Sequence, residues 1–374
     1  MSAESSQKFS GPVLHLATER TWRGGEAQLL TLALGLAARG VRQLVVCPPG
    51  SELESRAKAA GLATHGLVMR GEWDLMAPRR LRKVAEELAP AICHAHTAHA
   101  HAILVRAFSK KNAPPRIVIS RRVDFAVGRG LLSRRKYTRN DLHFLAISSG
   151  VRDALVKGGV SPERIRLVPS GVDPNKFSYC YDKSWLRREL GLGSDTPIIG
   201  NVGQLTDHKG HIFLIRAASR VIEARPRAHF VILGEGELRL SLEAEITRLG
   251  LAKQFHLLGF KKDVEPYLAG FDVFALSSHL EGLCTSLIDA MLLRVAAVGT
   301  KTGGVPDLIT HEKTGLLVLP RDPESLARGI LRLLDDPKLS ESLAEAAHKH
   351  VCENFSADQM VEKTMDCYRK IVSA

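Results

Sequence analysis

The sequence predicts an α/β fold in which two parallel-sheet domains follow one another along the chain. Three observations carry this expectation. Short apolar runs alternate with helix-period segments throughout, the pattern that builds βαβ units and therefore parallel sheets. The 374 residues are too many for one ordinary core. The series also breaks once, over residues 174–197, where turn formers and polar residues intervene before it starts again.

Residues 13–17 read as the first strand, followed by a loop containing Gly24 and Gly25. Leu29, Leu32, Ala33, Leu36 and Ala37 then share one helical face, and Gly40 closes that helix. Residues 44–47 form the next strand, stopped by Pro48, Pro49 and Gly50. Further strands are expected at 92–96, 117–120, 145–148 and 166–169, with a helix over 150–157. The connection holds a short helix over 185–190. Beyond it, strands are expected at 198–202, 229–233, 255–258, 273–276, 296–299 and 316–318. Helical stretches over 322–335, 340–352 and 356–372 end the series. The first domain is placed at 1–175 and the second at 176–355, with a last helix over 356–374 packing back on the first.

Apolar residues make up 45% of the chain and charged ones 25%, which excludes a disordered class. The first twelve residues are polar and lack the apolar centre of a secretion signal. Residues 29–38, the most apolar early stretch, are too short to span a bilayer, so a soluble cytoplasmic protein is expected. Cys47, Cys93, Cys180, Cys284, Cys352 and Cys367 form no C-x-x-C pair, and reduced thiols are expected.

The net charge of +12 is uneven. Residues 1–180 carry 28 Lys and Arg against 14 Asp and Glu, leaving −2 for the remainder. Between 106 and 139 stand eleven basic residues and one acid, Asp124. Such a stretch attracts anions: a phosphorylated substrate, an anionic lipid surface or nucleic acid. The stretch lacks interleaved aromatics, so no nucleic-acid partner is expected.

The chain lacks G-x-x-x-x-G-K-[ST], G-x-G-x-x-G and G-x-S-x-G. It also lacks D-x-D, so a bound diphosphate would be neutralised by protein groups, and no metal or other cofactor is assigned. His94, His96, His99 and His101 invite a metal reading, but no acidic residue nearby completes a site. The strongest candidate site is residues 278–291, after the strand at 273–276. Gly282 opens the backbone, and Thr285 and Ser286 stand where a helix starts. Free amides and the positive end of the helix dipole there favour an anion. Asp289 lies one turn on, beside Ser286, where a carboxylate can accept bonds from ribose hydroxyls. Arg122 follows a strand in the basic stretch and can hold an anion, though it cannot act as a base.

These segments resemble the family 4 retaining glycosyltransferases of the GT-B fold, two Rossmann-like domains facing across a cleft. The family's E-x7-E hallmark is matched by Glu281 and Asp289, with Asp for the second Glu. Residues 203–210 resemble the family's G-R-L…K-G loop, with Lys209 present and Gln204 in place of the Arg. Gly234 and Phe260 stand in segments that match the loops lining the base and ribose pocket. Residues 168–173, 303–307 and 314–318 match further family segments, and Gly24 and Gly25 match its glycine loop. Arg122 stands where many members have a His.

The resemblance implies transfer of a sugar from a UDP-, GDP- or ADP-sugar with retention of configuration. It assigns Glu281, Lys209 and Arg122 to the chemistry. Gly24, Gly25, Gln204, Gly234, Phe260, Gly282, Leu283, Cys284, Thr285, Ser286 and Asp289 are assigned to donor binding. The basic first domain suits an anionic glycolipid acceptor, such as a lipopolysaccharide core, at the inner face of the cytoplasmic membrane. A GT-B-like epimerase or phosphorylase is the competing enzyme class.

Overall fold

The structure, a computed structural model, describes residues 9, 11–71, 74–108, 115–125, 136–175, 177 and 181–373. Parts of the basic stretch, 109–114 and 126–135, lie outside the described residues, as does Cys180. The chain divides into two compact units, Met1–Gly171 with Ala357–Ala374, and Val172–Ser356.

Unit 1 is a seven-stranded sheet: β1 (Val13–Leu16), β2 (Gln43–Cys47), β3 (Thr64–Gly66), β4 (Ile92–Ala95), β5 (Arg116–Arg121), β6 (Leu142–Ala146) and β7 (Ile165–Leu167). Its order is β3-β2-β1-β4-β5-β6-β7, and every pairing is parallel. The central strands are buried along their length because helices cover both faces, which is why they read as apolar runs. The exception is β3, Thr-His-Gly at the sheet edge, which carries no apolar run and was not expected as a strand.

The helix Ala357–Ser373 belongs to this unit. Met360, Val361, Met365, Tyr368 and Ile371 pack with Leu32, Leu36, Val13 and Ile92 in one core cluster. Gly35 permits the close approach, since a Cβ there would come within 2.3 Å of Val361 Cγ2.

Unit 2 is a six-stranded sheet: β8 (Ile198–Val202), β9 (His229–Leu233), β10 (Phe255–Leu257), β11 (Val273–Leu276), β12 (Ala296–Thr300) and β13 (Leu316–Val318). The order is β10-β9-β8-β11-β12-β13, again all parallel. Helices His211–Ala224 and Pro323–Asp335 supply Leu214, Ala218, Val221, Leu326, Ile330 and Leu333 to its core.

Helix starts differ in a way that matters below. Ser51, Thr97, Ser148, Asp322 and Asp336 each accept a bond from a first-turn amide and cap their helices. The helices Gly24–Ala38, His211–Ala224 and Thr285–Leu292 start without a side-chain cap. Gly24 and Gly25, expected in a loop, are the first two residues of a helix, because the extended Arg23 already serves as its N-cap. Among the described residues, no helix is long and apolar enough to cross a membrane.

Candidate active site

In an open parallel sheet, ligands bind beyond the carboxyl ends of the strands, where the strand order reverses. In unit 2 that point lies between β8 and β11, and in unit 1 between β1 and β4. The residues singled out from sequence fall on the loops that leave these strands and their neighbours.

In unit 2 the loop after β8 runs through Gly203 and the exposed Gln204 to a short turn, Asp207–Lys209. Gly210 follows with φ of 64°, and a Cβ there would sit 2.3 Å from the Ser277 carbonyl oxygen. Only glycine fits, so this loop lies directly on the one that leaves β11. Ser277 Oγ donates to the Lys209 carbonyl at 3.0 Å, and the His279 amide donates to the His208 carbonyl at 2.9 Å. Lys209 Nζ thereby reaches Glu281, donating to Oε2 at 2.8 Å. Ser278 Oγ donates to the same oxygen at 3.0 Å, and the Gly304 amide donates to the Glu281 carbonyl. Both charged side chains are largely buried, 19% and 8% exposed.

The helix Thr285–Leu292 opens immediately after Gly282, Leu283 and Cys284. Its first amides and dipole offer an anion site next to that ion pair. Ser286 Oγ donates to the Val202 carbonyl at 2.8 Å, so its hydroxyl ties the helix to β8. Cys284 is buried, and desolvation pushes its thiol up to about 11, leaving it protonated at neutral pH. Asp289 is partly exposed on the same helix. The loops after β9 and β10 are joined by the Gly234 amide donating to the Gly259 carbonyl at 2.9 Å. Phe260 stands beside them, 75% exposed, and presents a ring suited to stacking.

Below these loops His211 Nε2 meets Asn201 Oδ1 at 3.0 Å. Asn201 Nδ2 donates to the Ala275 carbonyl, so its oxygen faces the ring and Nε2 carries the imidazole proton. Burial lowers the His211 pKa to about 3.

Unit 1 gathers a different set. Thr18 Oγ1 and Thr97 Oγ1 bridge the loops after β1 and β4 at 2.6 Å. Beneath them lie three fully buried imidazoles. His15 pairs in register with His94 across the two strands, and His15 Nδ1 meets His96 Nε2 at 3.0 Å. His94 bonds Tyr368 through Nδ1 at 2.6 Å and Ser120 through Nε2 at 2.8 Å. Sequence reasoning grouped His94 and His96 but missed His15, since strand adjacency is not written in local spacing. His99 and His101 stand on the following helix, where His101 Nε2 bonds the Lys136 carbonyl, apart from the triad. The triad's nitrogens lie close enough together to ligate a metal ion. Both His94 nitrogens are already engaged, and the nearby Arg122 charge opposes a cation. Burial lowers all three pKa values, His15 to about 4, so the rings are neutral.

Gly25, in the first turn of the helix Gly24–Ala38, lies near Arg122, while Gly24 faces open space. A Cβ on Gly25 would lie 3.8 Å from Arg122 Cδ. Arg122 Nη1 donates to Ser170 Oγ at 3.1 Å. Gly171 is fixed beside it by two bonds with the Gln28 amide group.

Comparison with known proteins bears on both units. The family model "Glycosyltransferase Family 4" matches residues 22–176, and "Glycosyl transferases group 1" matches residues 182–350. The chain is 29% identical over 240 residues to an uncharacterized glycosyltransferase of Methanocaldococcus jannaschii, a match covering 62% of this chain and 61% of that protein. It is 25% identical over 343 residues to the lipopolysaccharide core biosynthesis glycosyltransferase LpsE of Rhizobium meliloti, covering 91% and 94%. The crystal structure of Anabaena HepE in complex with UDP and glucose shares the fold, with a TM-score of 0.82 at 21% identity over 96% of this chain and 100% of that one. Two family models that together span most of the chain, and a fold shared over 96% of it, place this chain in the family 4 glycosyltransferases of the GT-B fold.

Proposed function

We propose that the chain moves a sugar from a nucleotide-diphosphate-sugar to an anionic glycolipid of the lipopolysaccharide-core kind, with retention of anomeric configuration. The observation that carries this reading is the Lys209–Glu281 pair beside the bare start of the helix Thr285–Leu292. Lys209 and the first helix amides meet the diphosphate, and Asp289 accepts bonds from the ribose hydroxyls. Phe260 stacks on the base. Gly234, Gly282, Leu283, Cys284, Thr285 and Ser286 contribute backbone to the same pocket, and Gln204 adds a neutral side chain.

In this mechanism the anomeric carbon–phosphate oxygen bond breaks while the acceptor oxygen bonds the same face. The acceptor's proton passes to the departing phosphate oxygen. Negative charge grows on the diphosphate, and preorganised donors that stabilise it there account for much of the rate. Lys209 is already in place, so little reorganisation accompanies the step. Glu281 orients Lys209 and accepts bonds from sugar hydroxyls. The charge is met by protein groups, and turnover is expected to survive EDTA.

The name of LpsE, a relative matched over nearly its whole length, supports the acceptor class, as does the basic first half of the chain. A peripheral position at the inner face of the cytoplasmic membrane follows from that class. Vesicles containing anionic lipid should bind the protein and release it at high salt, and salt-insensitive binding contradicts the electrostatic account.

The deciding experiment is a thermal-shift panel of UDP-, GDP- and ADP-sugars. A ligand at 100 times its Kd should add about 2.7 kcal/mol of stability. The UDP and glucose in the Anabaena HepE complex make UDP-glucose the first to try. No shift from any nucleotide sugar would sink the donor reading, and an inverted anomeric proton coupling in the product would sink retention.

A further inference from the structure

Every hydrogen-bonding group of His279 is in use, and all of them reach into other loops of unit 2. Its amide donates to the His208 carbonyl at 2.9 Å, on the loop after β8. Its carbonyl accepts from Thr302 Oγ1 at 2.9 Å, on the loop after β12. Nε2 meets Asp207 Oδ2 at 3.2 Å, again on the loop after β8. Nδ1 meets Arg321 Nη2 at 3.3 Å, on the loop after β13. A guanidinium can only donate, so Nδ1 accepts and Nε2 carries the proton offered to Asp207. The side chain is 7% exposed, and its ring lies nearly perpendicular to that of Phe213 with centroids 6.4 Å apart.

The two side-chain partners are poor sources of stability. Asp207 is 90% exposed and Arg321 is exposed as well, and water and salt weaken bonds to such groups. Arg321 also holds a φ of 60°, a left-handed conformation that is costly for a residue with a Cβ. What these contacts supply is geometry. His279 stands two residues before Glu281, and Asp207 stands two residues before Lys209. Backbone bonds and the Ser277 hydroxyl bring the two loops together. The imidazole ties the same crossing a second time, at the point where each loop delivers its member of the Lys209–Glu281 pair, and Arg321 pins the ring from a third loop.

We propose that His279 is a positioning residue for the transfer reaction. Held between Asp207 and Arg321, its imidazole fixes the loop after β11 so that Glu281 stays within reach of Lys209 and keeps that ammonium aimed at the diphosphate. The consequence for turnover rests on the transferase reading above, whereas the tether itself is a property of the ligand-free protein. His279 acts through Glu281 and touches no reacting atom, which sets its signature. Turnover falls while donor affinity holds, and the effect requires Lys209.

The test compares wild type with His279→Phe, His279→Gln and Arg321→Gly, alone and combined with Lys209→Ala, and follows UDP release from UDP-glucose. His279→Phe keeps a ring of similar size and loses both side-chain bonds, so kcat should fall about tenfold with the donor KM within about twofold. Gln offers one donor and one acceptor in place of the two ring nitrogens, so His279→Gln should recover most of that loss. Arg321→Gly removes the Nδ1 partner but suits the left-handed backbone, so kcat should fall about threefold with no loss of Tm. In the Lys209→Ala background, His279→Phe should cost less than about twofold more. A crystal structure of ligand-free His279→Phe should show Lys209 Nζ and Glu281 Oε2 out of hydrogen-bond reach, beyond about 3.5 Å. A lower Tm at unchanged kcat in both His279→Phe and Arg321→Gly marks a structural histidine and overturns the proposal. So does a tenfold loss that persists in Lys209→Ala, a raised donor KM at unchanged kcat, or an ion pair still at 2.8 Å in His279→Phe. The crystal structure needs no donor. A wild type inert toward every nucleotide sugar, with an ion pair that separates in His279→Phe, sinks the donor reading and leaves the tether standing.

Discussion

In unit 2 the Lys209 ammonium lies 2.8 Å from the Glu281 carboxylate, while in unit 1 the Arg122 guanidinium has a neutral hydroxyl as its hydrogen-bond partner. Both cations stand near an uncapped helix start, on loops that leave a parallel sheet. A paired lysine is comfortable without ligand and can share its charge when a diphosphate arrives. Arg122 has instead the buried Glu26 as a nearby opposing charge. The units also differ in imidazole content: among the described residues, His15, His94, His96 and His101 are buried and neutral in unit 1, against His211 at comparable burial in unit 2.

Acid should separate the units most strongly. The folded-state pKa values of these histidines lie below the unfolded value near 6.5, so between the two the unfolded chain binds more protons. Stability is then full above about pH 6.5 and falls with acidification, by about 1.4 kcal/mol per pH unit for each histidine. Burial lowers His143 in unit 1 and His229 and His256 in unit 2 as well, but these are only partly buried, so the deeply buried group in unit 1 makes that unit the more acid-sensitive. Hydrogen exchange from pH 7 to 5 should show unit 1 amides losing protection first. Equal loss in both units would break the comparison.

Removing the paired cation comes next. Lys209→Ala should lower turnover on the order of 100-fold, as loss of a preorganised charge stabiliser does. Near-normal turnover would mean that Lys209 serves only to satisfy Glu281. Gly210→Ala and Gly40→Ala then test how firmly unit 2 holds its loop. Both glycines have positive φ, 64° and 74°, but Gly40 has open space around it whereas Gly210 faces the Ser277 carbonyl. Gly40→Ala should cost about 1 kcal/mol in denaturant melts and Gly210→Ala up to about 3 kcal/mol. Equal losses would show that the loop yields. The smallest effect is expected from Asp289→Ala, a rise in donor KM of roughly tenfold at similar kcat, equivalent to about 1.4 kcal/mol. An unchanged donor KM removes the ribose contact.

Much of the fold was legible because a strand buried on both faces has no choice but to be apolar. Residues 198–202, 229–233, 273–276 and 316–318 are strands to the residue. The edge strand Thr64–Gly66 escaped because its side chains need not be buried, and β6 begins three residues earlier than its densest apolar run suggests. In the candidate site, a glycine followed by hydroxyl residues after a strand marked the helix start at Thr285. What local pattern does not carry is pairing across the sheet. The contact of Lys209 with Glu281, the use of the Ser286 hydroxyl by Val202, and the arrival of His15 beside His94 and His96 all depend on which strands become neighbours.

The helix Ala357–Ser373 has a consequence for the order of events during synthesis. It supplies core side chains to unit 1, and its Tyr368 hydroxyl closes the bond to His94, yet it is translated after all of unit 2. A ribosome therefore releases a continuous second unit that can fold at once, while the first waits with part of its apolar surface uncovered. The usual amino-to-carboxyl order of domain folding is reversed. The exposed face of unit 1 is a natural client surface for a chaperone until residues 357–373 emerge.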